Sequence, residues 1–435
     1  MLSSVLFALI LGAGIWVFYT SIRKIIRNIN LGRDVQINDR KSERWATMFR
    51  VALGQSKMVT RPVAGFFHII IYAGFIIINI EVLEIIIDGL LGTHRVFAKP
   101  LGPFYDFLIA SFEILALLVV VACVVFFARR AIIRLRRFTS PELKGFPNTD
   151  AMIILGTEVV LMSLFLFMNA SDSLLQQRGV DHYVQAGSFP VSSFLTPLLV
   201  GMGDQSLIML ERVCWWLHII GILAFLNYVP FSKHFHIFLS FPNVWYSKLD
   251  AKGKFSNNEA VANEVKLMMD PSAVPPPPAE TPTPFGAKDV KDLTWKNLMD
   301  AYSCTECGRC TSSCPANITG KKLSPRKIMM DTRDRLEEVG RNHDKHGASH
   351  DDGKSLLNDY ISPEELWACT TCNACVEACP VNIDPLSIIV EMRRYLVMEQ
   401  SAAPTELNGM FTKIENNGAP WQFSQADRMN WTQEG

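Results

Sequence analysis

The stretch CTECGRCTSSCP (residues 304–315) is matched by a second stretch, CTTCNACVEACP (residues 369–380). Both read C-x2-C-x2-C-x3-C-P, and they begin 65 positions apart. Three closely spaced thiolates can bind three irons of one [4Fe–4S] cluster, whereas the fourth iron needs a thiolate that arrives from another direction. The proline after each fourth cysteine turns the chain away from its own run. The repeat therefore predicts two clusters, each completed by the last cysteine of the other run.

The predicted ligands form two sets. These are Cys304, Cys307, Cys310 and Cys379 for the first cluster, and Cys369, Cys372, Cys375 and Cys314 for the second. Structural zinc sites usually contain two C-x2-C pairs without a third cysteine at this spacing, so zinc is the weaker interpretation.

The first 240 residues are dominated by long apolar runs, whereas the rest is polar and holds eight of the ten cysteines. A helix that spans a bilayer needs about 20 apolar residues. The predicted spans are residues 2–20, 62–87, 104–128, 151–169 and 207–229. The first lacks a basic start and a small-residue cleavage site, so it is interpreted as a retained helix rather than a signal peptide. The net charge is zero, which gives no indication of nucleic-acid binding.

The charges of the loops predict the orientation, because cytoplasmic loops are rich in Lys and Arg. Ten such residues lie between Arg23 and Arg61, after the first span, and six lie at 129–144, after the third. The loops after the second and fourth spans contain only Arg95, Lys99 and Arg178. The membrane is expected to be a bacterial cytoplasmic membrane, with the N-terminus outside and the cysteine runs in the cytoplasm. Disulfides are not expected in the cytoplasm. Cys123 and Cys214, in or beside apolar segments, are interpreted as buried small hydrophobic residues.

Three histidines lie at the end of the apolar half, at His218, His234 and His236. If one helix continued through Pro230, the first and last would share a face at depths about 27 Å apart. They would then serve different sites, one near each membrane surface. His234 would point away and is interpreted as an interfacial residue.

A haem iron held by two imidazoles needs its second ligand on another helix at matching depth. His68, in GFFHIIIYAGF (residues 65–75), lies just inside the cytoplasmic end of the second span. Its depth matches that of His236 and not that of His218. We therefore predict one haem b between His68 and His236.

FFHIII (66–71), HIIG (218–221) and PFSKHFHIFLSFP (230–242) resemble the di-haem cytochrome b subunit of respiratory nitrate reductase. They also resemble the cytochrome of membrane-bound heterodisulfide reductase. The resemblance implies the same ligand pair for the cytoplasmic-side haem. It also implies a second, outer haem, but Ile78 stands where one ligand is expected and leaves His218 without an evident partner.

The spacing of the cysteine runs is much longer than in small βαβ-type ferredoxins. Helix-like stretches lie between the runs (324–340) and after the second run (384–400). This arrangement resembles the helical ferredoxin domain of heterodisulfide reductase C subunits and of succinate dehydrogenase iron–sulfur subunits. The expected fold class is all-α, with a five-helix transmembrane bundle followed by an α-helical dicluster ferredoxin domain.

Four regions are expected along the chain. They are a cytochrome b-like domain (1–245), an amphipathic segment with a Pro-rich linker (246–290), the ferredoxin domain (291–400) and a tail (401–435). The proline-rich part, AVPPPPAETPTP (273–284), predicts an extended linker. Trp421 and Trp431 in the tail are candidates for docking a partner, and packing on the chain itself is equally compatible. A loop with His343, His346 and His350 is interpreted as solvated rather than as a metal site.

The sequence contains no recognisable nucleotide-binding loop, dinucleotide fingerprint, nucleophile elbow or CCG cysteine repeat, so no catalytic residue is assigned. We expect an oxidoreductase subunit that transfers electrons between a membrane quinone, through haem b, and a cytoplasmic partner, through two clusters. The soluble substrate would react on a separate subunit with CCG-type cysteines or a flavin. The alternative is a membrane-tethered ferredoxin adaptor without haem or quinone.

Quinone chemistry couples electrons to protons, so its site needs groups that titrate or hydrogen-bond at a depth that the ring can reach. His218 and Glu81 are the candidates. Glu84 and Glu158 also lie near or within apolar segments. In the alternative interpretation the glutamates face water and His218 is a buried hydrogen-bonding residue.

Overall fold

The computed structural model describes residues 2–270, 272, 274–275, 284–422 and 424–433. Within these ranges the regular structure is helical, and the strand-like pairings are two isolated bridges, Arg33–Thr294 and Leu357–Ile361. Of the predicted linker at 273–284, only residues 274, 275 and 284 are described, and the rest lies outside the described residues.

The first half contains five helices that are long and apolar enough to cross a membrane, namely α1, α3, α5, α6 and α8. The helices of this half are α1 (Leu2–Ile29), α2 (Lys41–Met48), α3 (Pro62–Leu91), α4 (Ala98–Leu101), α5 (Pro103–Ala131), α6 (Phe146–Gln177), α7 (Thr196–Leu199), α8 (Asp204–Tyr228) and α9 (His236–Trp245). Each predicted span falls on one of the five, and Pro62 and Pro103 occupy first turns, where a missing N–H costs nothing.

The five long helices pack as a bundle in which α6 contacts α5 and α8, α3 contacts α5, and α1 contacts α3 and α8. Ile109, Phe112 and Phe165 are fully buried between them. Small residues allow close approach, since a Cβ added to Gly74 or Gly221 would lie 2.7 Å from a side-chain carbon of the facing helix. Cys123 and Cys214 are buried in this bundle, as predicted.

The fifth long helix does not continue through Pro230, so the condition under which His218 and His236 would share one helix face is not met. Helix α8 ends at Tyr228, and two 3-10 turns follow before α9 begins at His236. The proline contributes no N–H to a helix. The Ser232 side chain then accepts a hydrogen bond from the His234 N–H, which caps the second turn.

The second half consists of shorter helices. They are α10 (Glu259–Met269), α11 (Trp295–Ser303), α12 (Arg309–Ser313), α13 (Pro315–Ile318), α14 (Pro325–His346), α15 (Leu356–Asp359), α16 (Pro363–Trp367), α17 (Ala374–Ala378), α18 (Pro385–Met398) and α19 (Thr405–Asn417), followed by a 3-10 helix at Gln425–Thr432. Helix α14 packs against α11 and α18, and α12 packs against α17.

One hydrophobic core joins the two halves. Ile25 and Ile29 near the end of α1, and Val244 of α9, belong to the same buried cluster as Leu293 and Leu298 of the cysteine-rich half. The Arg33 N–H donates to the carbonyl of Leu293 at 2.7 Å, which adds a backbone contact at this seam. The two halves therefore pack directly on each other and are not merely tethered by the predicted linker.

The tail lies at the surface. Trp421 is 45% exposed and Trp431 is 74% exposed, so neither side chain enters the core. Partner docking and packing on the surface of the ferredoxin domain both remain predictions for these residues. His346 and His350 are also exposed. The loop predicted for these histidines is in part wrong, because His343 and His346 lie in the last turns of α14.

We expect Ile29→Ala to lower the apparent melting temperature of the protein and to accelerate proteolysis within residues 291–400. Removing a buried isoleucine side chain costs about 2–5 kcal/mol because a cavity remains. The matched control is Ile26→Ala, one turn away on the same helix, because Ile26 is 52% exposed. Circular dichroism and limited proteolysis compare the two variants. Identical behaviour would contradict a shared core.

Candidate metal and cofactor sites

The two cysteine runs follow the same backbone path. Glu306 and Gly308 of the first run have φ values of 54° and 70°, and Thr371 and Asn373, at the equivalent positions of the second run, have 55° and 59°. Such left-handed residues bend the chain sharply within a few positions. The third cysteine of each run then lies on a short helix, α12 or α17. The sequence repeat is therefore also a structural repeat.

Each run lies against the last cysteine of the other run. The thiol of Cys379, from the second run, is close enough to Cys304 and Cys307 for their charges to interact. Cys314, from the first run, interacts in the same way with Cys369. Packing of α12 against α17 produces this arrangement, and crossed ligation requires it.

The chemistry of these thiols fits iron. Burial raises the pKa of Cys304 to about 11 and that of Cys379 to about 12, so each thiol is protonated at neutral pH unless a cation binds it. The N–H groups of Thr371 and Ile383 donate to the sulfurs of Cys369 and Cys379 at 3.4 and 3.3 Å. Hydrogen bonds to sulfur are one means by which proteins adjust the potential of a cluster.

All eight cysteines of the two runs are free thiols. Among the side chains that the structure describes, no three His, Cys, Asp or Glu groups converge as the ligands of a single ion would. Ligands of a [4Fe–4S] cluster need not converge in that way, because each thiolate binds a different iron. The donor sets are therefore compatible with two clusters.

His68 of α3 and His236 at the start of α9 face each other, with ring centres 6.4 Å apart. An imidazole nitrogen binds a metal at about 2 Å and lies about 1 Å from its ring centre, so two imidazoles across one iron have centres about 6 Å apart. Nδ1 of His236 is 3.1 Å from the carbonyl oxygen of Lys233, which leaves Nε2 for a metal. Nδ1 of His68 is buried without a hydrogen-bond partner among the described residues. The pair fits a haem iron.

His234 lies beside this pair, with its ring centre 5.6 Å from that of His236. The prediction that His234 points away from His236 is therefore wrong, because it assumed a continuous helix. Burial lowers the pKa of His234 to about 3 and also lowers the pKa of His236. Both rings are consequently neutral at physiological pH, which is the form that binds metals.

His218 occupies a different environment. It is almost fully buried, and its Nδ1 lies 3.0 Å from the carbonyl oxygen of Leu161. Its closest aromatic neighbour is Phe165, with ring centres 6.1 Å apart. Ile78, at the position where the resemblance implies a haem ligand, is buried in the bundle. This environment suits a hydrogen-bonded core histidine.

A cavity of about 200 Å³ lies at the end of the bundle opposite His68. We call it the outer cavity. Its lining includes Glu81, Glu84, His94, Arg95, Asp172 and Glu211. Glu81 is 4% exposed, and its Oε2 has no hydrogen-bond partner among the described residues. His218 and Glu158 are not part of the lining, so the two sequence-predicted quinone residues, His218 and Glu81, do not share a site.

The sequence analysis did not predict most of the polar residues around the outer cavity. The guanidinium of Arg95 donates to Asp172 at 2.7 Å and to Asn169 at 3.0 Å, and His94 Nε2 lies 3.2 Å from the same aspartate. Glu84 accepts hydrogen bonds from the Tyr105 hydroxyl and a backbone N–H. The polar run NASDS (169–173) at the end of the fourth apolar segment was the available signal.

A second polar cluster joins residues 232–236, which we call the histidine turn, to the first cysteine run. The Lys233 ammonium contacts the Glu306 carboxylate, and Arg333 donates to the same carboxylate at 2.7 Å. Asp150 accepts from the Ser232 hydroxyl at 2.6 Å and from the Lys233 N–H at 3.1 Å. Burial alone would raise the pKa of Glu306, but the charges of Arg333 and Lys233 outweigh it and hold the pKa below its ordinary value.

A family model described as a 4Fe-4S dicluster domain matches residues 303–383. "Probable iron-sulfur-binding oxidoreductase FadF" of Bacillus subtilis is 28% identical over 99% of this chain and 61% of its own length. "EtfAB:quinone oxidoreductase" of Syntrophomonas wolfei is 29% identical over 92% of this chain and 55% of its own length. The chain thus spans roughly three fifths of the length of these relatives.

A third relative matches about a quarter of this chain. It is the C subunit of the ferredoxin/F(420)H(2)-dependent CoB-CoM heterodisulfide reductase of Methanosarcina acetivorans, 36% identical over 24% of this chain and 52% of its own length. No solved structure matches significantly. The relatives are iron–sulfur oxidoreductases and heterodisulfide reductase subunits, which supports a role in electron transfer.

Crossed ligation predicts that cysteine substitutions are not additive. Cys379→Ser should reduce the iron content from about eight to about four per chain, because it removes a ligand of one cluster. Adding Cys304→Ser should cause no further loss, since both residues bind the same cluster. Cys379→Ser combined with Cys369→Ser should remove both clusters. Iron and sulfide analysis with electron paramagnetic resonance (EPR) distinguishes these outcomes, and the reverse pattern would show that each run binds its own cluster.

Proposed function

We propose that this chain is an electron-transfer subunit of a membrane-bound oxidoreductase. It exchanges electrons between a quinone in the bilayer and a redox partner on the cytoplasmic side. The observation that carries the proposal is the position of the His68–His236 pair. Two imidazoles at a haem-like separation lie at the end of the helix bundle on which the cysteine-rich half packs.

His68 and His236 are the proposed ligands of one haem b, and the eight cysteines are the proposed ligands of two [4Fe–4S] clusters. Haem b and such clusters each carry single electrons. The protein holds the ligand sets at fixed positions, because the histidine turn and the first cysteine run are joined by Lys233 and Glu306. A second haem is not proposed, since Ile78 offers no ligand.

The outer cavity is the proposed quinone site. Oxidation of a quinol yields a quinone, two electrons and two protons, so the site needs a proton acceptor close to the ring. Glu81 meets this requirement, since it lines the cavity and its Oε2 has no partner among the described residues. His218 is the weaker candidate because Leu161 already satisfies its Nδ1 and it does not line the cavity. A relative named as a quinone oxidoreductase supports this choice of substrate.

The proposed orientation follows from the loop charges. The Arg-rich loops after α1 and α5 support an orientation with the cysteine-rich half in the cytoplasm and the outer cavity on the other side of a bacterial cytoplasmic membrane. The proposed regions are the cytochrome b-like domain (1–245), the linker region (246–290), the ferredoxin domain (291–400) and the tail (401–435). The redox partner would be a separate polypeptide with CCG-type cysteines or a flavin. Relatives that belong to multi-subunit reductases support such a partner.

We expect the purified protein to show a b-type haem absorption band, and His236→Ala to abolish it while both clusters remain. The loss follows because His236 would be one of the two ligands, with its Nδ1 engaged by the Lys233 carbonyl and its ring centre 6.4 Å from that of His68. His234→Ala is the matched control, because it removes a neighbouring buried imidazole. Visible spectroscopy with iron analysis provides the measurement. A parent protein with two clusters and no haem would instead identify a membrane-tethered ferredoxin adaptor.

Glu81→Gln should slow the reduction of the haem by a quinol analogue without changing the haem content. The amide keeps the shape of the side chain but does not accept a proton as a carboxylate does. Glu158→Gln, in α6 of the same bundle but outside the cavity lining, is the control. Stopped-flow spectroscopy of parent and variants measures the rates. Parent-like rates for Glu81→Gln would locate the quinone elsewhere, and slow rates for His218→Ala alone would restore that histidine as a candidate.

A further inference from the structure

The Lys233–Glu306 ion pair is the charged contact between the turn that carries His236 and the loop that carries Cys304 and Cys307. Glu306 lies between those two cysteines in the sequence, and Lys233 lies three residues before the histidine. The Lys233 carbonyl oxygen is also the partner of His236 Nδ1. One residue therefore contacts the histidine through its backbone and the cysteine loop through its side chain.

Stability alone explains this pair poorly. The side chains of Lys233 and Glu306 are 9% and 3% exposed, so both charges lose most of their hydration. The desolvation of a buried ion pair commonly offsets its attraction, and well-packed apolar residues often hold such a contact equally well. Arg333 and Asp150 also partner these charges, and the charges act in addition on what lies beside them.

Comparison of the two cysteine runs shows that the carboxylate of Glu306 has no counterpart in the second run. Glu306 and Thr371 occupy equivalent positions with nearly identical φ values, 54° and 55°. The backbone N–H of Thr371 donates to the sulfur of Cys369 at 3.4 Å. The two loops thus share their backbone conformation at this position, but only the first carries a carboxylate there. The two loops have the same path and different local charge.

We propose that Glu306 and Lys233 fix the first cysteine loop on the histidine turn and set the reduction potential of the cluster that this loop holds. This inference rests on the proposed function, which supplies the cluster. Glu306 acts as a positioning residue, and the charges of the pair make the first cluster electrostatically distinct from the second. The potential of a cluster depends on nearby charge as well as on hydrogen bonds to its sulfurs.

The two members of the pair should act in opposite directions. Reduction adds a negative charge to a cluster, so a nearby carboxylate opposes reduction and a nearby ammonium favours it. Glu306→Gln should raise the midpoint potential of the first cluster, and Lys233→Gln should lower it. Both substitutions remove this ion pair, and Glu306→Gln also removes the contact with Arg333. Loosening of the loop without a charge effect gives no reason for shifts of opposite sign. Opposite shifts therefore report charge.

The experiment is an EPR-monitored redox titration of the full-length, cluster-loaded protein and its variants in detergent. We expect opposite shifts in the first cluster for the two variants, an unchanged second cluster, and a parent-like potential for Lys233→Arg, which keeps the charge. Controls are Lys322→Gln and Glu364→Gln, which neutralise an exposed ion pair of the same half. Screening by solvent makes such pairs weak, so neither control should move either potential.

Shifts in the same direction, or none, in a parent that contains both clusters would overturn the inference and leave the proposed function intact. A parent that binds no clusters would overturn the proposed function itself. If Glu306→Gln fails to retain its cluster, comparison of Lys233→Gln with Lys233→Arg decides the matter. A potential lowered only by Lys233→Gln supports the charge effect, and equal potentials in the two variants contradict it.

Discussion

The apolar seam between the helix bundle and the cysteine-rich half is the constraint on which the other spacings depend. Side chains from the end of α1 and from α9 share one buried cluster with the residues that precede the first cysteine run. Burial of apolar surface is favourable without being directional. The buried ion pairs and backbone contacts at the edge of the seam therefore fix how the two halves are aligned. The Arg33–Leu293 and Lys233–Glu306 contacts are of this kind.

The features that the sequence predicted well are those that an apolar run or a motif indicates by itself. Five apolar segments of sufficient length became five long helices, because a continuous apolar run of that size needs no knowledge of distant residues. The cysteine repeat predicted that Cys379 would lie near Cys304, since the fourth iron of a cluster requires a thiolate from elsewhere. His68 and His236 were matched by depth and do face each other, although the helix assumed for that argument is broken after Tyr228.

The features that sequence missed depend on contacts between distant segments. The outer cavity combines residues from four helices and their connections, and neither Arg95 nor Asp172 shows its partner in the linear sequence. The direct packing of the two halves was missed for the same reason, because a proline-rich stretch indicates a tether and says nothing about the surfaces on either side. His234 was misplaced because the turns after Pro230 rotate the chain in a way that helical periodicity does not describe.

The crosswise meeting of the two cysteine runs has a consequence for biogenesis. With the proposed ligand sets, the second group of four thiols is incomplete until residue 375 has been synthesised, and the first until residue 379. The chain from 304 onward must also have closed on itself. Closing such a loop costs conformational entropy before any contact within it is gained. Nascent chains that end before the second run would therefore expose incomplete sets of reactive thiols. Metal delivery is expected to follow translation of the second run. The two centres would then be acquired in a single cooperative maturation event.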